Sequence, residues 1–524
     1  MAYIQSYKDQ DWLLPPSIEE LIPEDHICYL VEALVDSIDF EAFDLKYAGA
    51  GHPAYHPRVL LKILVMGVMD RVRSSRRLAK AARENIVYMH LSEKLAPDFR
   101  TISDFRKDNP DVLKKAFRYT VELGKQEGLL DLSHLSTDGS KVKASASNKR
   151  VLTGDEIAFL LRFVDEELAE WAKRDTEEDK IFGELRGFDQ LPGNSKKAVQ
   201  KAAKYYIEKL REKGNAFKEE LQDKLKRAQE ESMESGSRQT SVTDPESRFI
   251  KNGKGRIELS YNAQITVDKG GFIISSDVCQ DATDLKQLEP QVLQTEENVG
   301  PLPAGVRWSF DAGYFAGANI KFLTDKNIDG YIPEHKKITM DPYDKSGFRY
   351  DVEKNEYICP VKKRVRFLGE HFDKQKGKTI IVYKGEECVG CKEQSKCTRK
   401  KDGIRYIKDF PYEAERNTMR EKMKTPMAKE IYALRSSTVE PVFGDIKENK
   451  GLRSFLTRGL ERVKTEFNLA CIATNLKKIE KFLEENESKT PYLGRLKQRS
   501  GKIGNKSRAT FDPGLLNVKI INCY

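Results

Sequence analysis

Apolar residues recur at helical spacing through the first quarter of the chain. Between His56 and Asp70 they form one face of a predicted helix: Val59, Leu60, Ile63, Leu64 and Val68. Ser74 is placed to cap a second helix, and the segment from Thr101 to Asp104 begins a third. We therefore predict that residues 1–125 form a helical domain.

After about residue 130 the pattern changes to short apolar runs that are typical of β-strands. The predicted strands are residues 132–147 (with the exit loop), 258–267, 272–278, 306–311 and 330–333. Helices are predicted over 283–297 and 320–325. Residues 130–150 and 240–335 should therefore form the first part of an α/β core, to which residues 425–485 add helices.

A long charged helical stretch separates the first strand from the second. Residues 155–173 and 195–231 each carry apolar side chains on one face, and Leu191-Pro192-Gly193-Asn194 forms a turn between them. The pattern predicts that residues 151–239 are an inserted antiparallel helical hairpin. Its heptad-like spacing indicates packing either on itself or on a second subunit.

Four of the eight cysteines cluster in a predicted insertion at residues 340–410. Their pattern is Cys359, followed by Cys388-x2-Cys391-x5-Cys397. Four thiolates around such a core are the ligand set of a structural zinc site. The alternatives are four unrelated reduced thiols, or a redox pair, although no thioredoxin-like unit surrounds it.

Composition narrows the classes of partner. The 524 residues include no apolar run of about 18, which argues against a membrane span. Because the first residues lack a signal-peptide pattern, we expect a cytoplasmic protein. The net charge of +9 and a pI of about 8.8 favour a polyanionic partner. Basic clusters at 71–77, 362–366, 399–401 and 497–508 are either solvated faces or contacts to DNA phosphates.

The basic helices near the N-terminus suggest a helix-turn-helix-like reader of DNA. Arg76 and Arg77 open the second helix, and Arg106 is expected on the exposed face of the third. The alternative is a helical cap that is purely structural.

Three acidic residues stand at the edges of short motifs. Asp138 and Asp311 close strand-like runs, and Glu440 is expected to open a helix whose first position is Pro441. Converging carboxylates are hard oxygen ligands for magnesium or manganese, and two such ions support phosphodiester chemistry. Taken singly, Asp138 could serve a turn with Gly139, Asp311 could cap a helix, and Glu440 could complement a helix dipole.

The motifs together resemble those of a bacterial insertion-sequence transposase of the DDE type. The resemblance runs from about residue 15 to 485. It rests on four blocks in order: Tyr55–Leu61, Asp138–Ala144, Asp311–Phe315 and Glu440–Lys447. It implies a ribonuclease-H-like mixed sheet flanked by helices, with an all-α N-terminal domain for DNA binding. It also implies that Asp138, Asp311 and Glu440 hold two magnesium or manganese ions.

A second resemblance concerns the last of these blocks. Tyr432, Arg435, Glu440 and Lys447 are similar to the tyrosine, arginine, glutamate and lysine signature of related transposases. The common form has three residues between arginine and glutamate, whereas this chain has four, which leaves the role of Arg435 open. Arg435, Lys447 and Arg458 are expected to contact DNA, and residues 486–524 form a basic tail.

The leading hypothesis is a transposase that binds the ends of its element, cleaves the DNA and joins it to a target. Double-stranded DNA is then the partner, and the active complex is expected to be a homodimer. Two alternatives remain open. One is a transposase-derived DNA-binding protein without catalysis, and the other is a nuclease on the same fold.

Overall fold

A computed structural model of the chain describes residues 16–40, 54–173, 185–253, 255–335, 341–351, 353–373 and 378–486. The chain divides into two compact units. The first comprises Met1–Leu129, Val142–Tyr261 and Gly444–Tyr524, and the second Leu130–Lys141 and Asn262–Phe443. None of the described helices is both long enough and apolar enough to cross a membrane. The basic tail beyond residue 486 lies outside the described residues.

The N-terminal part of the first unit is helical, as the sequence predicted. Its helices are α1 (Cys28–Asp36), α2 (Pro57–Met69), α3 (Ser75–Glu84), α4 (Ile86–Leu91), α5 (Phe99–Asp108) and α6 (Pro110–Gln126). The start of α5 differs from the expected Thr101, because the carboxylate of Asp98 accepts the N–H groups of Arg100 and Thr101 and caps the helix earlier.

The helical insertion also belongs to the first unit and has its own apolar core. It contains β2 (Val151–Leu152), α7 (Gly154–Glu166), α8 (Leu168–Lys173), α9 (Gly193–Lys213), α10 (Asn215–Ser235) and β3 (Thr240–Ser241). The stretch expected as one helix over 195–231 breaks at Gly214, whose φ of 70° lies in the left-handed region that glycine tolerates. The apolar faces pack on one another, which answers the question that the heptad-like spacing left open.

The last described helix, α17 (Leu460–Asn486), packs against α6 and α2 within the first unit. Its apolar stripe, which includes Val463, Phe467 and Cys471, is fully buried. Buried polar contacts fix the packing, since Asn475 donates to Thr120 at 3.0 Å and Arg73 binds Glu466 at 2.5 Å.

The second unit contains a mixed sheet, which is the core of the predicted α/β fold. Its strands are β1 (His134–Lys143), β5 (Ile257–Val267), β6 (Ile273–Cys279), β7 (Arg307–Phe310) and β8 (Asp329–Tyr331), and β4 (Arg248–Lys251) pairs with the start of β5 in the first unit. The order β6-β5-β1-β7-β8, with β1, β7 and β8 parallel and β5 antiparallel to β6, is consistent with a ribonuclease-H-like core.

Helices accompany this sheet in the positions that the sequence predicted. They are α11 (Leu288–Val299) between β6 and β7, and α12 (Gly317–Asp325) between β7 and β8. Gly317 begins α12 in close contact with Tyr412, because a Cβ at position 317 would lie 2.6 Å from the Cβ of Tyr412.

The cysteine-bearing region forms a second, antiparallel sheet in the second unit. Its elements are β9 (Arg349–Asp351), β10 (Glu356–Ile358), β11 (Arg364–Asp373), β12 (Lys378–Gly385), α13 (Gln394–Cys397) and β13 (Tyr406–Asp409). The strand order is β13-β12-β11-β10-β9. A small core that includes Tyr357 and Tyr383 lies on this sheet.

Three helices follow: α14 (Glu413–Lys424), α15 (Pro426–Ala433) and α16 (Arg435–Gly444). The prediction that Glu440 opens a helix is wrong, because α16 begins five residues earlier and Pro441 lies inside it. The helix begins upstream of Glu440 because side chains there, among them Thr438 and Val439, are buried against the rest of the protein. A π-helical turn, Asp445–Asn449, comes directly after α16.

Candidate active site

Two aspartates lie at the same level on neighbouring parallel strands, Asp138 in the middle of β1 and Asp311 directly after β7. The expectation that Asp138 closes a strand is wrong, because β1 continues to Lys143. β1 and β7 pair in register up to Thr137 opposite Phe310, and Asp138 and Asp311 come next along the chain. The Trp308 indole donates to the Thr137 hydroxyl at 2.8 Å, which fixes this register inside the core. The pairing of β1 with β7 therefore brings these two carboxylates together, as the sequence predicted.

Arg435, the first residue of α16, joins the two carboxylates. Its Nη2 lies 3.2 Å from Oδ2 of Asp138, and its Nη1 lies 3.4 Å from Oδ1 of Asp311. The guanidinium also donates to the Tyr432 hydroxyl at 3.1 Å and to the Thr137 carbonyl at 3.4 Å. Because the arginine side chain is only 6 % exposed, its charge is directed at the aspartates and not at the surface.

The electrostatics of the site show that its negative charge is poorly solvated. The pKa of Asp138 is raised to about 6, chiefly by burial; Arg435 opposes this rise and the neighbouring Asp311 carboxylate contributes to it. Burial lowers the pKa of Arg435, but Asp138, Tyr432 and Asp311 together outweigh this effect and the net pKa is raised. The Arg435 guanidinium is thus the positive group that offsets the charge of the two carboxylates.

Glu440 lies on the same helix as Arg435 but is exposed. Five residues along an α-helix correspond to a rotation of about 140° between their side chains, whereas a spacing of four would leave about 40°. The extra residue noted in the sequence thus separates the directions of these two side chains. Among the residues that the structure describes, no three His, Cys, Asp or Glu side chains are grouped so that they could hold a metal ion.

Each of the three acids has a possible structural role, in a turn, a helix cap or a helix dipole. The Gly139 N–H donates to Oδ1 of Asp138 at 2.8 Å, so this carboxylate does stabilise its own turn. Asp311 precedes the short 3-10 turn Ala312–Tyr314, but its side chain accepts no capping hydrogen bond. Glu440 is in the second turn of α16, so complementing a dipole at the helix start is not its role.

A fourth acid, Asp284, was not identified from the sequence. Its Oδ1 accepts hydrogen bonds from the amides of Asn262 and Gln264, each at 2.7 Å, and from Nζ of Lys141 at 3.0 Å. It follows a strand end within the run Asp281-Ala282-Thr283-Asp284. The position of Asp284 shortly after β6 was the feature of the sequence that could have indicated a site residue.

The residues expected to bind DNA occupy different environments. Arg76 and Arg77 are exposed on α3, and Arg458 is exposed with its Nε donating to the Ser145 carbonyl at 2.8 Å. The prediction that Arg106 lies on an exposed face is wrong, because α5 turns it inward and its Nη1 donates to the Arg73 carbonyl at 3.1 Å. Lys447 is half-buried in the π-helical turn, where the α-helical spacing that predicted a shared face with Glu440 does not apply.

The four clustered cysteines line one cavity of the second unit: Cys359, Cys388, Cys391 and Cys397. Two of the sulfurs accept backbone N–H groups, from Lys363 to Cys359 at 3.2 Å and from Arg405 to Cys388 at 3.5 Å. Burial raises the pKa of Cys397, and the other three sulfurs add to this effect. The four thiols predicted to act together therefore line one cavity, but among the described residues no three of them are grouped closely enough to hold a metal ion.

Comparisons with known proteins agree with these observations. A family model described as Transposase DDE domain matches residues 358–480, which include Glu440 and the four cysteines. A family model described as Transposase domain (DUF772) matches residues 16–108 in the N-terminal helices. A search among curated proteins finds no match. Asp138 and Asp311 lie outside both matched segments. The two matches, in the same order as the helical block and the Glu440 block of the sequence, support an insertion-sequence transposase of the DDE type.

Proposed function

We propose that this protein is a magnesium- or manganese-dependent DNA transposase that cleaves the ends of its element and transfers the strands to target DNA. The observation that supports this most strongly is the parallel pairing of β1 with β7, which brings Asp138 of β1 level with Asp311, the residue after β7. Glu440, on the helix that also contributes Arg435, is the third carboxylate of the proposed set.

The carboxylates of Asp138, Asp311 and Glu440 are the type of ligand that such ions take, although the three are not grouped around one point in the structure. Hard carboxylate oxygens suit magnesium and manganese, and the pair already has a positive group between its members in the Arg435 guanidinium. A pair of bound ions would supply Lewis-acid activation of the attacking oxygen and stabilisation of the leaving oxygen.

The side chains of the chain have separate tasks in this proposal. Asp138 and Asp311 hold their oxygens at one level because their strands are in register. Arg435 neutralises the pair, so that two like charges remain together in a half-buried site. Glu440 is exposed on α16, so its carboxylate is accessible to an ion that binds together with the DNA.

End recognition is proposed for residues 1–125, where Arg76 and Arg77 offer exposed positive charge. Binding through phosphates should weaken as salt rises. Lys447 and Arg458 remain proposed DNA contacts in the first unit. Two ends must be brought together for joining, so we also propose a homodimer as the active complex, which light scattering of the protein–DNA complex would measure.

The decisive experiment replaces each acid separately, as Asp138→Ala, Asp311→Ala and Glu440→Ala. The substrate is a supercoiled plasmid that contains this gene with its native flanking DNA. We expect each variant to lose magnesium-dependent strand breaks while it keeps its affinity for the flanking DNA, because binding is distributed over many phosphate contacts whereas chemistry needs every metal ligand. Calcium should support binding better than cleavage.

Glu430→Ala is a matched control, since this exposed acid lies on the neighbouring helix α15. It should cleave like the wild type. Normal cleavage by one of the three variants would remove that residue from the set. Breaks without joined products would favour a nuclease, and tight binding of the flanks without any breaks would favour a DNA-binding protein.

We also propose a structural zinc ion at Cys359, Cys388, Cys391 and Cys397. The shared cavity supports this, as do the two backbone N–H groups directed at sulfur, which stabilise thiolates. Gly385 leaves room for the Cys388 sulfur, because a Cβ there would lie 2.3 Å from it.

Metal analysis of protein purified without chelator should find about one zinc per chain. Cys391→Ser should lose the zinc and loosen the second sheet, because metal binding is coupled to folding. Cys279→Ser is the matched control, since this free and half-buried cysteine is on β6. Wild-type protein without zinc would refute the proposal.

A further inference from the structure

Asp284 occupies a central position next to the two aspartates. It lies in the connection between β6 and α11, and its side chain is 14 % exposed. The side chain does not cap α11, whose N-cap residue is Gln287 without a side-chain capping bond. The carboxylate turns instead towards Gly139 in the middle of β1 and towards Gly313 shortly after β7.

A network of buried donors holds the carboxylate in place. Asn262 and Gln264 are fully buried and alternate on one face of β5, so both amides reach Oδ1 of Asp284. Lys141 adds its ammonium group from β1. The Gln264 carbonyl in turn accepts the hydroxyl of the fully buried Tyr314, which follows Asp311 by three residues.

The two glycines after the aspartates pack directly on Asp284. A Cβ at Gly139, the residue after Asp138, would lie 2.5 Å from Oδ1 of Asp284 and 2.3 Å from Nε2 of Gln264. A Cβ at Gly313, two residues after Asp311, would lie 2.9 Å from Oδ2 of Asp284. Neither glycine has a positive φ, so these positions require space and not an unusual backbone.

We propose that Asp284 is a positioning residue that sets the separation of Asp138 and Asp311. One carboxylate oxygen supports the backbone after Asp138 and the other supports the backbone after Asp311. Three donors on Oδ1 hold the carboxylate against Gly139, and Oδ2 lies against Gly313, so Asp284 acts through the two aspartates. This inference rests on the proposed function, because it assigns a purpose to the spacing of the proposed metal ligands.

The test begins with Asp284→Asn, which keeps the shape of the side chain but turns an amide or a neutral oxygen towards three donors. The probes are manganese alone, for binding, and the plasmid with the native flanks, for cleavage. We expect cleavage at saturating DNA to fall by about tenfold to a hundredfold, which is the scale of a misplacement near 1 Å. Manganese affinity should fall as well, with unchanged affinity for the flanking DNA. Glu289→Gln, an exposed acid on α11, is the matched control and should behave as wild type.

A double-mutant cycle separates positioning from a general loss of stability. Gly313→Ala should slow cleavage, because its methyl group meets Asp284. In an Asp284→Ala background the same methyl group meets no carboxylate, so Gly313→Ala should add little further loss. Equal losses from Gly313→Ala in both backgrounds would overturn the proposal.

The outcomes distinguish this inference from the proposed function. If Asp138→Asn loses both cleavage and manganese binding while Asp284→Asn keeps both at the wild-type level, Asp284 has no positioning role and the proposed function stands. If the wild type neither cleaves nor binds manganese, the proposed function and this inference both fail. Each variant that cleaves slowly must unfold at a midpoint near that of the wild type, so that slow cleavage is not a result of instability. A large fall in the midpoint with normal cleavage also counts against a positioning role.

Discussion

Removal of the Arg435 guanidinium should expose the repulsion between Asp138 and Asp311. Arg435→Gln keeps the first part of the side chain but removes the charge and both terminal nitrogens that contact Asp138 and Asp311. The contact with Asp138 joins a buried cation to a carboxylate that is 21 % exposed, and leaving such a charge unpaired costs about 3–5 kcal/mol when burial is complete. The contact with Asp311, which is 46 % exposed, adds less than about 1 kcal/mol. Partial exposure reduces the first contribution, so we expect a loss of about 3 kcal/mol in the free energy of unfolding of the second unit.

Trp308 reports on this unit because it is buried in β7 and bonded to Thr137. Urea unfolding followed by its fluorescence, in a Trp12→Phe and Trp171→Phe background, should show a midpoint lower by about 1 M if the slope is near 3 kcal/mol per M. Magnesium should then restore stability to Arg435→Gln more than to the parent protein, since the ion no longer competes with the guanidinium. Ion binding contributes about 2.7 kcal/mol at a concentration of 100 times Kd.

Arg420→Gln is the control for this experiment. Arg420 bridges Glu334 and Glu413 in the same unit, so its loss should destabilise the protein without any added response to magnesium. An unchanged midpoint for Arg435→Gln would refute the reasoning about charge. An equal response of both variants to magnesium would show that Arg435 does not occupy the position of a bound cation.

Three further results are expected from the structure. Burial lowers the pKa of His134 to about 4, so the neutral imidazole contributes fully to the stability of the second unit above pH 6.5. As the pH drops from 6.5 towards 4, the free energy of unfolding should fall by about 3 kcal/mol, because only the unfolded chain takes up the proton. His134→Gln should flatten this part of the plot of unfolding free energy against pH, as measured by urea unfolding. Gly67→Ala should destabilise the helical domain by about 1–3 kcal/mol, because the new Cβ would lie 2.5 Å from Cδ2 of Leu78. The gain in helix propensity of about 1 kcal/mol does not offset this overlap. Denaturation followed by circular dichroism measures the effect, and a more stable variant would contradict the prediction. Arg106→Ala should lower the stability of the protein because its guanidinium is buried. Arg76→Ala should leave the unfolding midpoint nearly unchanged and weaken binding to the flanking DNA in a gel-shift assay, because Arg76 is exposed. The reverse pattern would show that the burial of these two arginines is misassigned.

The sequence by itself determined the elements and their order. Alternation of apolar residues predicted β5 and β6 with their turn, and helical spacing predicted α2 almost to the residue, because both periods reflect which side chains must leave water. The motifs in their order, among them the N-terminal helical block and the block around Glu440, also predicted the family, since short motifs are local features of the sequence.

The tertiary structure alone decided which side chains face each other. The sequence placed Arg106 on an exposed face and Glu440 at a helix start, but packing turned Arg106 inward and extended α16 upstream of Glu440. Arg435 was expected at the DNA, and instead it joins Asp138 to Asp311. Asp284 reaches the same site from a loop that is more than a hundred residues from Asp138 in the chain. No local pattern encodes such contacts, because they depend on strand register and on the burial of charge between segments that only folding brings together.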